Sequence, residues 1–183
     1  MISTLIHLIK YTLIGLLLFI TFKMLPIHYE FDIRSFNQYT IKHKITMFTL
    51  NTLVDDNDKI TFHINSYGGD VAACFEYINA VLNKPTHTIA HVHSVAHSAG
   101  AILMMAVDEI IVDKYSSVMF HKAQTLNNDG YIVVVDNILV DAFLKDYVFP
   151  YLTNKEKQLI LNGQDVTLLG PDFVASVKMI RSL

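Results

Sequence analysis

Apolar and polar residues alternate in short runs along the middle of the chain, with segments of helical pattern between most of them. Residues 28–34, 59–64 and 86–95 have the two-residue period that is typical of strands. Two shorter apolar runs, residues 109–113 and 117–121, are also expected to be strands. Because helices separate most of these strands, the pattern predicts βαβ units, an α/β fold and a largely parallel sheet flanked by helices.

Apolar residues spaced three and four positions apart predict the helices between these strands. In the first helix the spaced positions are Ile41, Ile45, Phe48 and Thr52. Several residues mark helix ends: Pro85 stops the second helix, and the pair Thr153 and Glu156 has the spacing of a capping box. The predicted helices are residues 38–54, 70–83, 98–107, about 131–149, a segment opening at 153, and 171–180.

The first 27 residues differ from the rest of the chain. Residues 11–22 are uncharged and apolar, with Lys10 before them and Lys23 after them. A membrane span needs about 20 residues, which flanking lysines can complete by reaching to the interface. No small-x-small cleavage site follows, so we expect residues 1–27 to be an uncleaved, single-pass membrane anchor or signal-like segment. A buried amphipathic helix is the alternative, and the flanking charges do not fix which side of the membrane the domain at 28–183 faces.

Composition and charge narrow the class of protein. The chain has 183 residues, 52% of them hydrophobic and 17% charged, which fits one globular domain. Its net charge of -3, with scattered Lys and Arg, argues against a nucleic-acid partner. The single cysteine, Cys74, excludes an intrachain disulfide and a CxxC zinc site. His91 and His93 share a strand face, but no Glu or Asp stands in a suitable third position, so we expect no metal site.

Two strand-to-helix junctions carry the candidate chemistry. The segments "NSYGGD" and "AHSAG" both follow a strand, and sites in parallel sheets form beyond the carboxyl ends of strands. Ser98 is a candidate nucleophile because small neighbours let its oxygen project from a tight turn, although such a serine is more often a helix N-cap. The Ala99 amide and the glycines Gly68 and Gly69 could supply donors for a developing oxyanion.

A serine nucleophile needs a base and a group that orients the base. His121 ends the strand at 117–121, where its side chain can reach the same edge of the sheet as Ser98. His97 is adjacent to Ser98, but neighbouring residues at a helix start diverge, which favours His121. Spacing alone does not choose among the later aspartates, which are Asp129, Asp136, Asp141, Asp146, Asp165 and Asp172.

Three segments resemble those of a known family. The sequences "INSYGGDVAACFEYINAVLNKP", "VAHSAGAILMMA" and "KYSSVMFHKAQ" look like the glycine, nucleophile and base segments of ClpP-like serine peptidases, the proteolytic subunits of Clp proteases. The likeness runs from about residue 38 to residue 124 in the same order and spacing. It implies a ClpP/crotonase-like spiral of βαβ units.

The resemblance also implies roles for individual residues. Ser98 would be the nucleophile and His121 the general base, and "QDVTLLGPDF" matches the family's acid segment with Asp165 as the third triad member. Gly69 and Ala99 would form the oxyanion hole. Two further residues, Gly68 and Tyr67, would contact the substrate.

The resemblance extends to partners. It implies a peptide or unfolded protein substrate, a homo-oligomer, an ATP-dependent unfoldase as partner and no cofactor. Two features depart from the family: Tyr67 replaces the usual Pro, and the handle region between His121 and Asp165, which in the family helps build the ring, is shortened.

Three alternatives stay open. One is a catalytically degenerate ring partner or membrane scaffold, and another is a crotonase-type acyl-CoA enzyme. The third is similarity to membrane-bound relatives that use Ser-Lys pairs, for which Lys84, Lys114 and Lys122 are present but fit less well than His121.

Overall fold

A six-stranded sheet and a two-stranded hairpin form the framework of the fold. The computed structural model describes residues 9–14 and 26–181. The strands are β1 His28–Ile33, β2 Lys59–Ser66, β3 His87–His97, β4 Glu109–Val112, β5 Ser117–Phe120, β6 Gln124–Leu126, β7 Ile132–Val134 and β8 Val166–Leu169. The helices are α1 at residues 9–14, α2 Ile41–Phe48, α3 Val71–Leu82, α4 Ala99–Met105, α5 Ile138–Phe143, α6 Asn154–Leu161 and α7 Gly170–Arg181.

The long strand β3 organises the sheet. It pairs with β2 on one side, and on the other side its first half pairs with β4 and its second half with β5. Strands β1 to β5 of the sheet run parallel, and β8 closes the edge antiparallel to β5. The structure therefore confirms the predicted α/β class, with a mainly parallel sheet flanked by helices.

The core lies between the inner face of this sheet and helices α3 and α4. Phe62 and Val92 on the sheet are fully buried, and every residue of α4 is buried. A Cβ atom added to Gly100 would lie 3.2 Å from the Ser66 carbonyl oxygen. The absence of a side chain at Gly100 thus lets α4 pack closely against the end of β2.

The prediction of a helix over about 131–149 is wrong in its first third. Residues 124–134 form the β6–β7 hairpin, and the helix begins at Ile138. In the turn, the Asn127 side-chain oxygen accepts hydrogen bonds from the amides of Asp129 and Tyr131, and Gly130 has φ +81°. Local turn chemistry and the β-branched run after it favour a hairpin over a helix.

Helix α2 forms where predicted, but its apolar side chains face outward. Ile41, Ile45 and Phe48 are 76%, 60% and 59% exposed, whereas His43 and Thr46 are buried. His43 packs edge-on against Tyr77 in α3, with ring centroids 5.0 Å apart. After Phe48 the helix widens into a π turn over Thr49–Leu53.

The described residues bear only partly on the predicted membrane anchor. Within 9–14 and 26–181, no helix is long and apolar enough to cross a bilayer. Most of the predicted anchor, residues 1–27, lies outside the described part of the chain.

Candidate active site

The turn between β3 and α4 holds Ser98 in an unusual backbone conformation. Its φ is +53° and ψ is −122°, and among the described residues no other non-glycine has a positive φ. The Ser98 amide donates to the Met119 carbonyl at 2.9 Å, and the Ser98 carbonyl accepts from the Ile102 amide at 3.0 Å. Its side chain makes no capping hydrogen bond, unlike an ordinary N-cap serine. This conformation fits a strand-to-helix turn that presents the hydroxyl outward.

The glycine turn after β2 lies directly against Ser98. A Cβ atom on Gly68 would come within 2.8 Å of the Ser98 Cβ atom and 3.2 Å of its hydroxyl oxygen. Gly68 and Gly69 have φ of +109° and +142°, values that strongly favour glycine. The turn is held by the Phe36 amide, which donates to the Gly68 carbonyl at 3.2 Å, and by the Gly68 amide, which donates to the Ser66 hydroxyl at 3.1 Å.

Two backbone amides at this junction are unused by the rest of the described chain. Neither the Gly69 nor the Ala99 N–H donates to a protein acceptor there, whereas the amides of Gly68, Asp70 and Ser98 all do. The Ala99 carbonyl accepts from the Cys74 thiol at 3.2 Å. These are the two amides that the sequence predicts as oxyanion donors.

Cys74 itself is not a rival nucleophile. The thiol is buried, and burial raises its pKa far above the usual range. It therefore stays protonated at neutral pH, and a protonated thiol is a poor nucleophile.

His121 comes directly after β5, the strand that pairs with the second half of β3. β5 pairs with β3 so that Met119 is opposite His97, and the Met119 carbonyl bonds the Ser98 amide. The His121 side chain is only 10% exposed. Burial lowers its pKa from the ordinary value of 6.5, and the negative charge of Asp165 opposes that shift. His121 is therefore held as a neutral imidazole near neutral pH, the form that accepts a proton.

Asp165 reaches His121 because β8 runs antiparallel to β5. Phe120 pairs with Val166, which places His121 and Asp165 next in register. The His121 Nδ1 atom lies 3.9 Å from the Asp165 Oδ1 atom, too far for a hydrogen bond, and Nδ1 is buried without a hydrogen-bond partner among the described residues. Asp165 also accepts a 3.3 Å hydrogen bond from the Gln124 side chain. Asp165 thus lies close enough to stabilise a positive charge on His121, and the two form an ion pair only when the imidazole is protonated.

His97 and Tyr67 border the same region. The His97 Nε2 atom lies 2.8 Å from the Ser117 hydroxyl, and its ring meets that of Tyr67 edge-on at 5.5 Å. Burial lowers the pKa of His97, the Asp165 charge raises it and His121 lowers it. His97 is therefore in electrostatic reach of His121 and Asp165 while its own ring nitrogen is engaged by Ser117.

The structure brings most of the predicted site residues together at one sheet edge. Gly68 packs on Ser98, His121 faces Asp165, and Met119 connects the two pairs. Sequence reasoning missed Gln124 and Ser117, which hold Asp165 and His97. Gln124 stands three residues after His121, and only the pairing of β5 with β8 shows that it reaches Asp165.

Acyl transfer by a serine nucleophile requires a reactive hydroxyl, donors for the oxyanion, and a base with a group that orients it. The site offers candidates for these parts in the strained serine turn, the two unused amides, and the buried histidine beside a carboxylate. Comparison with known proteins assigns the chain to a family. A protein-family model described as Clp protease matches residues 31–133, more than half of the chain. A search of curated proteins finds no match to this chain. The matched range contains Ser98, His121, Gly69 and Ala99, and Asp165 lies beyond it. On this match the chain belongs to the Clp protease family, a family of peptidases.

Proposed function

We propose that this protein is a serine peptidase that hydrolyses peptide bonds with Ser98, His121 and Asp165. The observation that carries the proposal is the turn at Ser98. A residue with a side chain has φ +53° there, and Gly68 packs directly on it. Strain of this kind persists only where the surrounding structure holds it, and it is common at catalytic sites.

In the proposed reaction, the Ser98 hydroxyl attacks the peptide carbonyl carbon while His121 takes the hydroxyl proton. The amides of Gly69 and Ala99 donate to the oxyanion of the tetrahedral intermediate, each contributing about 3 kcal/mol. The C–N bond then breaks as His121 gives its proton to the leaving amine. Water hydrolyses the resulting ester by the same sequence, with His121 again accepting the proton.

Asp165 would orient His121 and stabilise the imidazolium that forms. The 3.9 Å separation in the free protein is compatible with this role, because catalytic hydrogen bonds are often long until substrate binds. Gln124 holds the Asp165 carboxylate on the histidine side, which supports the assignment.

The substrate we propose is a peptide or an unfolded protein segment. Gly68 and Tyr67 lie on the glycine turn beside Ser98, and the Tyr67 side chain is 77% exposed. An exposed aromatic ring next to the nucleophile can pack against a substrate side chain. No cofactor is needed for this chemistry.

A fluorophosphonate probe tests the proposal, since it labels only activated serines. The detergent-solubilised full-length protein and its Ser98→Ala, His121→Ala and Asp165→Asn variants would be labelled side by side. Ser94→Ala is the matched control, because Ser94 is an exposed serine four residues earlier on β3. We expect labelling of the wild type and the control, none of Ser98→Ala, and slow labelling of the other two.

Three results would contradict the proposal. If the wild type is unlabelled and cleaves no unfolded protein, the chain is a degenerate ring partner or scaffold. Labelling that survives Ser98→Ala would place the reactive serine elsewhere. Hydrolysis of acyl-CoA thioesters in preference to peptides would favour the crotonase-type alternative.

We also propose that the protein forms a homo-oligomer, is held at a membrane by residues 1–27 and receives substrate from an ATP-dependent unfoldase. Membership of the Clp protease family and the exposed apolar side chains of α2 support self-assembly.

The apolar run at 11–22 supports the anchor. Carbonate extraction tests the anchor, because release of the full-length chain would rule out a spanning helix. Stimulation of protein degradation by an added unfoldase and ATP tests the partner.

A further inference from the structure

Three histidines meet on the outer face of the sheet, away from the Ser98 edge. They are His63 on β2 and His91 and His93 on β3. The parallel register places His63 beside His91, and His93 is the next residue on that face. Each side chain offers a nitrogen, and these three atoms lie within 4.8 Å of one another. The third histidine, which spacing along β3 does not reveal, comes from the neighbouring strand.

The distances within this cluster suit a single metal ion. The His63 Nδ1 and His93 Nε2 atoms are 3.0 Å apart. Two histidine nitrogens bound to tetrahedral Zn²⁺ at about 2.0–2.1 Å would be separated by about 3.3–3.4 Å. The ring centroids of His91 and His93 are 4.0 Å apart, and those of His63 and His93 are 5.3 Å apart. The His63–His93 pair would need to widen by only about 0.3–0.4 Å to admit the ion.

A carboxylate lies near one ring nitrogen of each histidine in the cluster. Asp113, just after β4, accepts from His93 Nδ1 at 3.1 Å and contacts His91 Nε2 at 2.9 Å. Glu30 on β1 lies 3.9 Å from His63 Nε2. A histidine that binds a metal almost always donates its other N–H to such a group, which fixes the tautomer. With Asp113 holding Nδ1–H, the His93 Nε2 lone pair points toward His63.

The cluster is also accessible. His63, Glu30 and Asp32 line a surface groove between β1 and α2, and the His93 side chain is 42% exposed. An ion can therefore enter without unfolding of the sheet, and a water molecule can occupy a fourth position.

We propose that His63, His91 and His93 form a binding site for one divalent transition-metal ion of the zinc class, with Asp113 and Glu30 as orienting carboxylates. Imidazole donors suit Zn²⁺, Cu²⁺ and Ni²⁺ and disfavour Mg²⁺ and Ca²⁺. The bound ion connects β2 to β3, the two strands whose carboxyl ends lead to the Gly68 turn and Ser98. The site is independent of the peptidase chemistry.

Zinc titration of the chelator-treated, full-length protein tests the site. The protein is purified without a polyhistidine tag, and ZnCl₂ binding is followed by calorimetry and by the rise in melting temperature. Co²⁺ is added separately, because its visible absorption reports tetrahedral nitrogen ligation. We expect one Zn²⁺ per chain, with affinity lowered at least about tenfold in His63→Ala and His93→Ala, and by about 10–100-fold in Asp113→Asn.

His87→Ala is the matched control, because His87 lies on the same face of β3 outside the cluster. It should bind Zn²⁺ as the wild type does, and so should Ser98→Ala. Circular dichroism of the metal-free variants checks their fold, and His63→Gln and His93→Gln replace any alanine variant that fails to fold. The absence of saturable binding, or binding unchanged in the His63 and His93 variants, would overturn the proposal. So would binding that only His121→Ala abolishes.

Discussion

At the scale of single residues, the site depends on one unfavourable conformation. At φ +53° the Ser98 amide donates to the Met119 carbonyl, and the Ser98 side chain makes no capping hydrogen bond to the helix. A glycine would adopt this conformation readily, but the proposed chemistry needs a hydroxyl. The strain at Ser98 is therefore a stability cost that the proposed function would explain.

This reasoning predicts that Ser98→Gly is more stable than Ser98→Ala. Both variants lose the hydroxyl, but only alanine retains a Cβ atom at positive φ, so we expect a difference of about 1 kcal/mol in the free energy of unfolding. Urea denaturation of the two variants measures it. Equal stability, or a more stable alanine variant, would mean that the turn is unstrained.

The pKa of His121 gives a second prediction at the scale of single residues. In the proposed mechanism the neutral imidazole is the base, and burial lowers its pKa, so the labelling rate should rise with pH and reach half its maximum below 6.5. Asp165 raises that pKa, so Asp165→Asn should shift the midpoint to still lower pH while lowering the maximum rate by about 10²–10⁴-fold.

Rates of fluorophosphonate labelling from pH 4 to 9, at constant ionic strength, would give both midpoints. Gln124→Glu is a useful companion, because an added carboxylate near Asp165 should move the midpoint upward. A wild-type midpoint above 6.5, or an upward shift in Asp165→Asn, would contradict the assignment of His121 and Asp165.

At the scale of elements, the contact between α4 and β2 positions the site. Gly100 lets α4 approach the Ser66 carbonyl, and the Ser66 hydroxyl in turn accepts from the Gly68 amide. The glycine turn and the nucleophile turn are thus connected through one close backbone contact.

We expect Gly100→Val to destabilise the protein by about 1–3 kcal/mol and to slow labelling of Ser98. The added side chain would push against Ser66, whose backbone is fixed in β2, and would displace the Gly68 turn. Ala142→Val, an exposed position in α5, introduces the same side chain without a close contact and should change stability and labelling little. Full labelling of Gly100→Val would show that the contact does not position the turn.

Helix α2 shows what the spacing of apolar residues does not predict, namely which side of a helix is buried. The spacing of Ile41, Ile45 and Phe48 predicts helix α2 correctly, but those residues face solvent while His43 is buried. Spacing reports the helix period and does not tell which stripe packs inward. His43 is accommodated because its Nε2 atom lies 2.7 Å from Glu76.

At the scale of the whole molecule, the exposed stripe on α2 gives a test of self-assembly. Ile41, Ile45 and Phe48 form an apolar surface, and a second copy of the chain would remove it from water. We expect Ile45→Glu to shift the solubilised protein to a smaller assembly in light scattering. Lys44→Glu, one residue away, is the control. A monomeric wild type would contradict the proposed homo-oligomer.

The sequence by itself determined the class of fold and the two junctions of the site. Alternating apolar residues predict β2 and β3, and the segments after these strands contain Gly68, Gly69 and Ser98. Because parallel strands end at one edge of the sheet, the two segments are expected to lie together. These inferences succeed because they depend on local periods and on a general property of parallel sheets. Periodicity does not predict the hairpin at 124–134, since strands of three residues are too short to give a periodic signal.

Only the tertiary structure decided which distant residues meet. Spacing leaves six candidate aspartates open and the family resemblance points to Asp165, but the antiparallel pairing of β5 with β8 is what places Asp165 beside His121 and brings Gln124 to that carboxylate. The register of β2 against β3 adds His63 to the pair His91 and His93. Strand order and register are set by packing of the whole sheet, so spacing along the chain contains little information about such contacts.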